Sequence, residues 1–281
     1  AVVLIDYPGF NLRLARALRK KLPSLKILYY VSPQVWAWNR RRIVKMGRWL
    51  DLMLCIFPFE PVLYNTSGLK AIFVGHPLTE EMQAPTDIRD PRLIGLFPGS
   101  RQREVRKIFP IMQATASELL QTDPGLHFEV AAASESLAKI IRKDLRDDAA
   151  KFSVILGGAR DLMQRASVAL VASGTATLEA ALSKLPFVLV YRVAWLTYFA
   201  ARAVVRVKYI GMPNILADRE IAPEFIQHQA RPAQIALTVR RLLSDRSERT
   251  RMLNHFDSVA KRLSLGEAGT NAADAIIAAL R

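Results

Sequence analysis

The stretch Val168–Glu179, VALVASGTATLE, decides the fold. Val168–Val171 is a short, unbroken apolar run, which suits a strand buried on both faces. Ser173-Gly174-Thr175 then turns the chain, and a helical pattern runs from Thr175 to Leu182 with Glu179 on its first turns. A strand, a tight glycine turn and a helix leave backbone N–H groups and the positive end of a helix dipole beside two hydroxyls. That is a pocket for phosphate. Gly174 lets the backbone approach an anion closely. Glu179, a turn further on, is placed to accept hydrogen bonds from ribose hydroxyls. The same residues also suit an ordinary strand-to-helix turn with a Ser or Thr cap, so this segment alone leaves both readings open.

The rest of the chain repeats the alternation. Strands are expected at Val2–Ile5, Lys26–Val31, Leu52–Ile56, Ala71–Phe73, Leu93–Phe97, His127–Ala131, Ser153–Leu156, Val168–Val171 and Phe187–Tyr191. Helices fall between them, at Asn11–Lys20, Arg103–Gln121 and Thr175–Leu182 among others. Continuous apolar strands separated by helices make parallel sheets in α/β layers. Residues 77–92, PLTEEMQAPTDIRDPR, are rich in proline and acids and read as an interdomain linker. The expected domains are therefore 1–92 and 93–281. The tail from Pro232 to Arg281 reads as wholly helical and long enough to pack back on the first domain.

Composition narrows the chemistry. The chain has 281 residues, enough for roughly two domains. Its net charge of +15 calls for an anionic partner: nucleic acid, a membrane surface or a phosphorylated substrate. One cysteine, Cys55, excludes an internal disulfide framework. The four histidines lack zinc-ligand spacing, and no metal site is expected. No apolar run is long enough to span a bilayer. The chain starts in mid-strand at Ala1, without methionine, and is expected to lack an N-terminal part.

Four further segments carry candidate residues. Leu93–Arg101, LIGLFPGSR, is a second strand and glycine loop; Arg101 is placed to meet a phosphate or developing negative charge, or it is a surface arginine beside a turn. Asn214 in Met212-Pro213-Asn214 can donate its amide to a diphosphate or accept from a sugar hydroxyl, or it is an Asn in a turn. Asp6 in Ile5–Asn11, IDYPGFN, lies just past the carboxyl end of a strand, where open α/β sheets bind ligands. It is a candidate general base, or else a cap for the following helix. Trp36, Trp38 and Trp49 are interleaved with Arg40, Arg41, Arg42, Lys45 and Arg48, a pattern suited to a lipid headgroup layer, to nucleic acid, or to a helix with core tryptophans and a solvated basic face. Ala194–Lys208, with Arg202 and Arg206 on one stripe, suits a membrane interface or a buried helix whose arginines reach the surface.

Six strings occur together in order: YYVSPQVWAW (29–38), FPFEPVLY (57–64), FVGHPL (73–78), LFPGSR (96–101), SGTATLEAAL (173–182) and YIGMPNILADRE (209–220). By them the chain resembles the lipid-A-disaccharide synthases, bacterial glycosyltransferases, over essentially its whole length. The resemblance implies a GT-B fold: two doubly wound, Rossmann-like α/β domains with a nucleotide-sugar in the cleft between them. It implies inverting transfer of 2,3-diacylglucosamine from its UDP derivative to 2,3-diacylglucosamine 1-phosphate (lipid X), with release of UDP and without a metal or other cofactor. By motif, Asp6 and Arg101 match the family's essential aspartate and arginine. Gly99, Ser100, Ser173, Gly174, Thr175, Glu179 and Asn214 fall at its UDP-sugar site. Trp36, Trp38, Arg40, Arg41, Arg42, Arg202 and Arg206 are expected to face lipid. The family's setting is the cytoplasmic face of the bacterial inner membrane, with an anionic lipid surface as partner, a homodimer left open, and no nucleic acid. Gly9 stands where many relatives carry a second acid, and the βα units expected before Asp6 are absent, so the first domain is expected to be incomplete. The rival readings are another UDP-sugar enzyme of the same fold (a 2-epimerase or a peptidoglycan-precursor transferase), a nucleic-acid binder, and an inactive fragment.

Overall fold

The computed structural model describes residues 1–38, 41–81, 89–145, 150–193 and 208–281; the side chains of residues 37, 38 and 41 lie outside that description. The described chain divides into two compact units. One holds Ala1–Glu81 and Ala260–Arg281; the other holds the described residues between 89 and 259.

The first unit is a four-stranded parallel sheet in the order β1-β2-β3-β4, from Val2–Ile5, Ile27–Tyr30, Leu52–Cys55 and Ala71–Phe73. Alternation along its strands builds a core on each face. Ile27, Tyr29, Met53 and Cys55 pack with Leu12 and Ala15 of helix α1 (Pro8–Lys21) and with Ile43 and Met46 of helix α3 (Arg41–Met46). A short helix, α2 (Val35–Trp38), precedes α3. Leu28, Leu52, Leu54 and Val74 face the other way and pack against Ala272, Ala275, Ile276 and Ala279 of the C-terminal helix Ala268–Leu280. Hydrogen bonds tie this helix and the one before it to the sheet: the His76 amide donates to the Leu263 carbonyl, the Ala268 amide to the Glu80 carboxylate, and the Asn271 side chain to the Val74 carbonyl. Within residues 77–92, Leu78–Glu81 is a short helix and the next strand opens at Asp90; residues 82–88 lie outside the description.

The second unit is a six-stranded parallel sheet ordered β10-β9-β8-β5-β6-β7. Its strands are β5 (Asp90–Phe97), β6 (His127–Ala132), β7 (Phe152–Leu156), β8 (Ala166–Ala172), β9 (Phe187–Tyr191) and β10 (Glu224–Ile226). Every residue of β8 is buried, as its unbroken apolar run requires. The chain passes from β5 outward to β6 and β7, then returns to β8 on the opposite side of β5. Arg89 fastens that junction, donating to the carbonyls of Met163 (2.7 Å), Ala166 (2.7 Å) and Ser183 (2.6 Å). β10 lies outside the strands expected from sequence; it is three residues long and begins with a glutamate.

Candidate functional site

In an open α/β sheet, loops at the carboxyl ends of two adjacent strands separate where the winding direction reverses, and the crevice they leave takes the ligand. Here that reversal lies between β5 and β8, whose last pairs are Leu96 with Leu170 and Phe97 with Val171. The two glycine loops singled out from the sequence are the two loops that leave these strands. They line one cavity of about 350 Å³, with Gly99, Ser100, Arg101 and Glu104 on one side and Ser173, Gly174, Thr175 and Glu179 on the other. Ala131–Ala133 and Gly157, from the ends of β6 and β7, complete the wall.

Both loops bend where only glycine is comfortable. Gly99 has φ +108, and a Cβ there would sit 2.9 Å from a Glu104 carboxylate oxygen. Gly174 has φ +142 and ψ −164, a region essentially restricted to glycine, with open space where a Cβ would be. Helix α9 (Thr175–Leu182) therefore begins with Gly174 and Thr175 exposed toward the cavity. The turn is braced from beneath: the Thr177 hydroxyl donates to the Gly174 carbonyl (2.8 Å) and accepts from the Met212 amide (3.3 Å), and the Ser173 hydroxyl donates to the Ile210 carbonyl (3.3 Å). Glu179 is half-buried on the wall.

Arg101 is extended at the head of helix α6 (Gln102–Leu120), and its guanidinium pairs with Glu104 at 2.8 Å. Its side chain is 80% exposed, so water screens this pair and leaves the arginine able to exchange partners. Glu104 was not among the expected site residues. Only the helical turn that sets residues 101 and 104 side by side reveals it.

Asn214 is corrected by the structure. It is buried, and its amide is saturated. Nδ2 donates to the Ala222 carbonyl (2.7 Å) and Glu224 Oε1 (2.8 Å), while Oδ1 accepts from the amides of Ile221 (2.8 Å) and Ala222 (2.9 Å). The side-chain amide has no capacity left for a diphosphate or a sugar. Asn214 is a clamp that shapes the loop leading into helix α10 (Met212–Ala217).

In the first unit, Asp6 follows β1 directly. Asp6 and Tyr7 both lie in the left-handed region, at φ 45 and 43. The pair is held there by its surroundings: the Tyr29 hydroxyl (2.5 Å) and Asn11 Nδ2 (2.8 Å) both donate to the Asp6 carbonyl. The Asp6 side chain does not cap α1, whose N-cap is Tyr7 without a side-chain bond. Its carboxylate is exposed and makes no hydrogen bond or ion pair among the described residues. Strain of this kind next to an exposed acid marks a functional candidate.

The lipid-facing set divides. Trp36 is corrected: it is 4% exposed, donates its indole N–H to Glu60 Oε1 (2.9 Å), and meets the Phe59 ring edge-on at 4.8 Å. It is a core residue. Burial pushes the Glu60 carboxyl up to about 7, against the bonds it accepts from the Phe57 amide and Trp36. Arg42 is exposed and lines a basic groove of the first unit. Arg40, Arg202 and Arg206 lie outside the described residues, as do the side chains of Trp38 and Arg41. Among the described residues no group of three His, Cys, Asp or Glu could hold a metal ion, and no helix is long and apolar enough to cross a membrane. His76 is a buried neutral histidine: burial lowers it to about 4, and its Nδ1 accepts from the Leu78 amide (3.2 Å).

Two parallel α/β units, the second in reversing strand order with glycine loops at its switch point, define the GT-B fold class. Solved structures of that class share the fold. The UDP-GlcNAc 2-epimerase of Neisseria meningitidis, bound to UDP-GlcNAc, matches 98% of this chain and 76% of its own at TM-score 0.63 and 11% identity. The calicheamicin glycosyltransferase CalG4 matches 99% and 72% at TM-score 0.56 and 17% identity. The model of the lipid-A-disaccharide synthetase family matches residues 1–279. Lipid-A-disaccharide synthase 1 of Legionella pneumophila (strain Paris) is 35% identical over 289 residues, covering 99% of this chain and 75% of that relative. The Geobacter sulfurreducens synthase is 39% identical over 255 residues, covering 87% and 66%. The chain belongs to the lipid-A-disaccharide synthase family, and it is a glycosyltransferase of lipid A synthesis.

Proposed function

We propose that this protein transfers 2,3-diacylglucosamine from UDP-2,3-diacylglucosamine to the 6-hydroxyl of 2,3-diacylglucosamine 1-phosphate. The products are the β-1,6-linked disaccharide 1-phosphate and UDP. The observation that carries the reading is the switch-point cavity, walled by two glycine loops, in a chain of this family.

The chemistry is an inverting displacement. The acceptor oxygen forms a bond to the anomeric carbon as the bond from that carbon to the UDP diphosphate breaks on the opposite face. Asp6 takes the hydroxyl proton, a role that suits an exposed carboxylate held at a strand end. Arg101 and the backbone amides of Ser173–Thr175 spread the charge of the departing diphosphate, and Glu179 accepts from the ribose hydroxyls. Both substrates carry acyl chains, which supports peripheral association with the anionic cytoplasmic face of the inner membrane.

The test is direct. The protein is incubated with donor and acceptor, and mass spectrometry reads disaccharide 1-phosphate and UDP; calorimetry reads UDP binding separately. Folded protein that binds no UDP at millimolar concentration, a free energy of about −4 kcal/mol, would sink the proposal. Epimerised UDP-sugar without disaccharide would replace it by the epimerase reading.

A further inference from the structure

Glu104 sits against the glycine loop that ends at Arg101. The first turn of α6 sets it there: its amide donates to the Arg101 carbonyl at 2.9 Å, and residues 101 and 104 share one face of the helix. One carboxylate oxygen, Oε1, pairs with Arg101 Nη1 at 2.8 Å. The other, Oε2, lies over Gly99, 2.9 Å from where a Cβ on that residue would be. The carboxylate is the packed partner of the pair, 22% exposed against 80% for the arginine. Arg101 is the only cation among the described residues that line this cavity. Tyr191, at the end of β9, feels both charges: burial and Glu104 raise its hydroxyl, and Arg101 lowers it. An acid therefore stands on the same glycine loop, and on the same arginine, that a phosphate would use. A first-turn acid also suits the dipole of α6, a role that has no bearing on which ligand the cavity prefers.

We propose that Glu104 is a specificity residue, biasing this cavity toward a nucleotide diphosphate esterified at both ends and against one with a free terminal phosphate. In the reaction that means toward the donor and against the product. The proposal rests on the function above, which places a UDP-sugar in this cavity. A diphosphate esterified at both ends carries two negative charges. Once the sugar has left, the terminal phosphate titrates near pH 6 and adds most of a third charge at neutral pH. Glu104 repels both ligands, and the more highly charged one more strongly. Arg101 alone would favour UDP over the donor; the carboxylate beside it offsets that preference. Discrimination between two such similar ligands needs a repulsive group as well as an attractive one, and Glu104 is placed to be it.

The test measures UDP binding to the full chain by calorimetry, and UDP-GlcNAc binding by its displacement of UDP. UDP-GlcNAc is the soluble probe esterified at both ends. Glu104→Gln removes the charge and keeps the shape; Glu104→Asp keeps the charge. Circular dichroism establishes that both variants are folded. Glu104→Gln is expected to bind UDP about five-fold more tightly and UDP-GlcNAc with a smaller gain, so that the preference for UDP widens. Glu104→Asp should keep most of the wild-type ratio. An unchanged ratio in Glu104→Gln would leave Glu104 serving the helix dipole alone. Weaker UDP binding in that variant would make Glu104 the group that aims Arg101 at the diphosphate. Either result, or UDP-GlcNAc that displaces no UDP, overturns the proposal. UDP bound by neither wild type nor variant overturns the transferase reading and this proposal with it, whereas UDP bound with an unchanged ratio overturns the specificity role alone.

Discussion

Asn214 Nδ2 donates to Glu224 Oε1 at 2.8 Å, and through that bond one half-buried glutamate and one buried asparagine hold the loop beneath the Ser173–Thr175 turn. Glu224 also accepts from the Gly211 amide (2.9 Å) and from the Ile210 amide through both oxygens. Ile210 in turn offers its carbonyl to the Ser173 hydroxyl, so the network reaches the cavity wall.

Asn214→Ala is expected to leave two amides, a carbonyl and part of the Glu224 carboxylate unpaired. The predicted cost is about 3 kcal/mol of stability, read from the urea midpoint. Asn214→Asp should cost as much or more, because it brings a second carboxylate against a glutamate that burial already holds above its ordinary range. Near-normal stability in both variants would show that the network is dispensable.

Gly174→Ala isolates backbone geometry from sterics, since a Cβ at that position meets nothing within 4 Å. The expected loss is about 1–3 kcal/mol of stability, or a relaxed turn with weakened UDP affinity. Calorimetry with UDP and a denaturant curve distinguish the two. An alanine variant unchanged in both would mean that the turn's φ +142 is not required.

Asp6→Asn retains shape and keeps a residue type that tolerates the left-handed region, so stability should stay within about 0.5 kcal/mol. Turnover should fall about 10²–10⁴-fold if the carboxylate is the base. A variant with normal turnover would remove Asp6 from the chemistry.

Glu60 and His76 give opposite pH dependences. Glu60 titrates near 7 in the fold and near 4.5 unfolded, so its contribution to stability is greatest below about 4.5 and declines as pH rises toward 7. His76 is lowered to about 4 from 6.5, so its contribution is full above about 6.5 and lost as pH falls toward 4. Glu60→Gln should therefore remove the loss on the alkaline side: relative to the variant, the wild type should weaken by on the order of 2 kcal/mol between pH 5 and pH 8. Trp36 fluorescence should follow the Glu60 titration, because its indole N–H bonds that carboxylate. A pH-independent difference between the two proteins would refute the assignment.

The sequence by itself determined what is local. An unbroken apolar run such as Val168–Val171 suits a strand covered on both faces, and a glycine between such a strand and a helix suits a tight turn. Nine strands and both glycine loops were legible on those grounds. β10 was not, because three residues beginning with Glu224 carry too little periodicity. Tertiary structure decided everything that depends on residues far apart in the chain. It placed Phe97 beside Val171, and so joined two loops far apart in the chain into one cavity. It turned Trp36 inward onto Glu60 and consumed the Asn214 amide on Ala222 and Glu224. It set Arg13 and Arg16 of α1 across from Arg42 and Lys45 of α3. A side chain's hydrogen-bonding capacity is visible in sequence, but whether that capacity is spent depends on which distant groups folding brings within three ångströms.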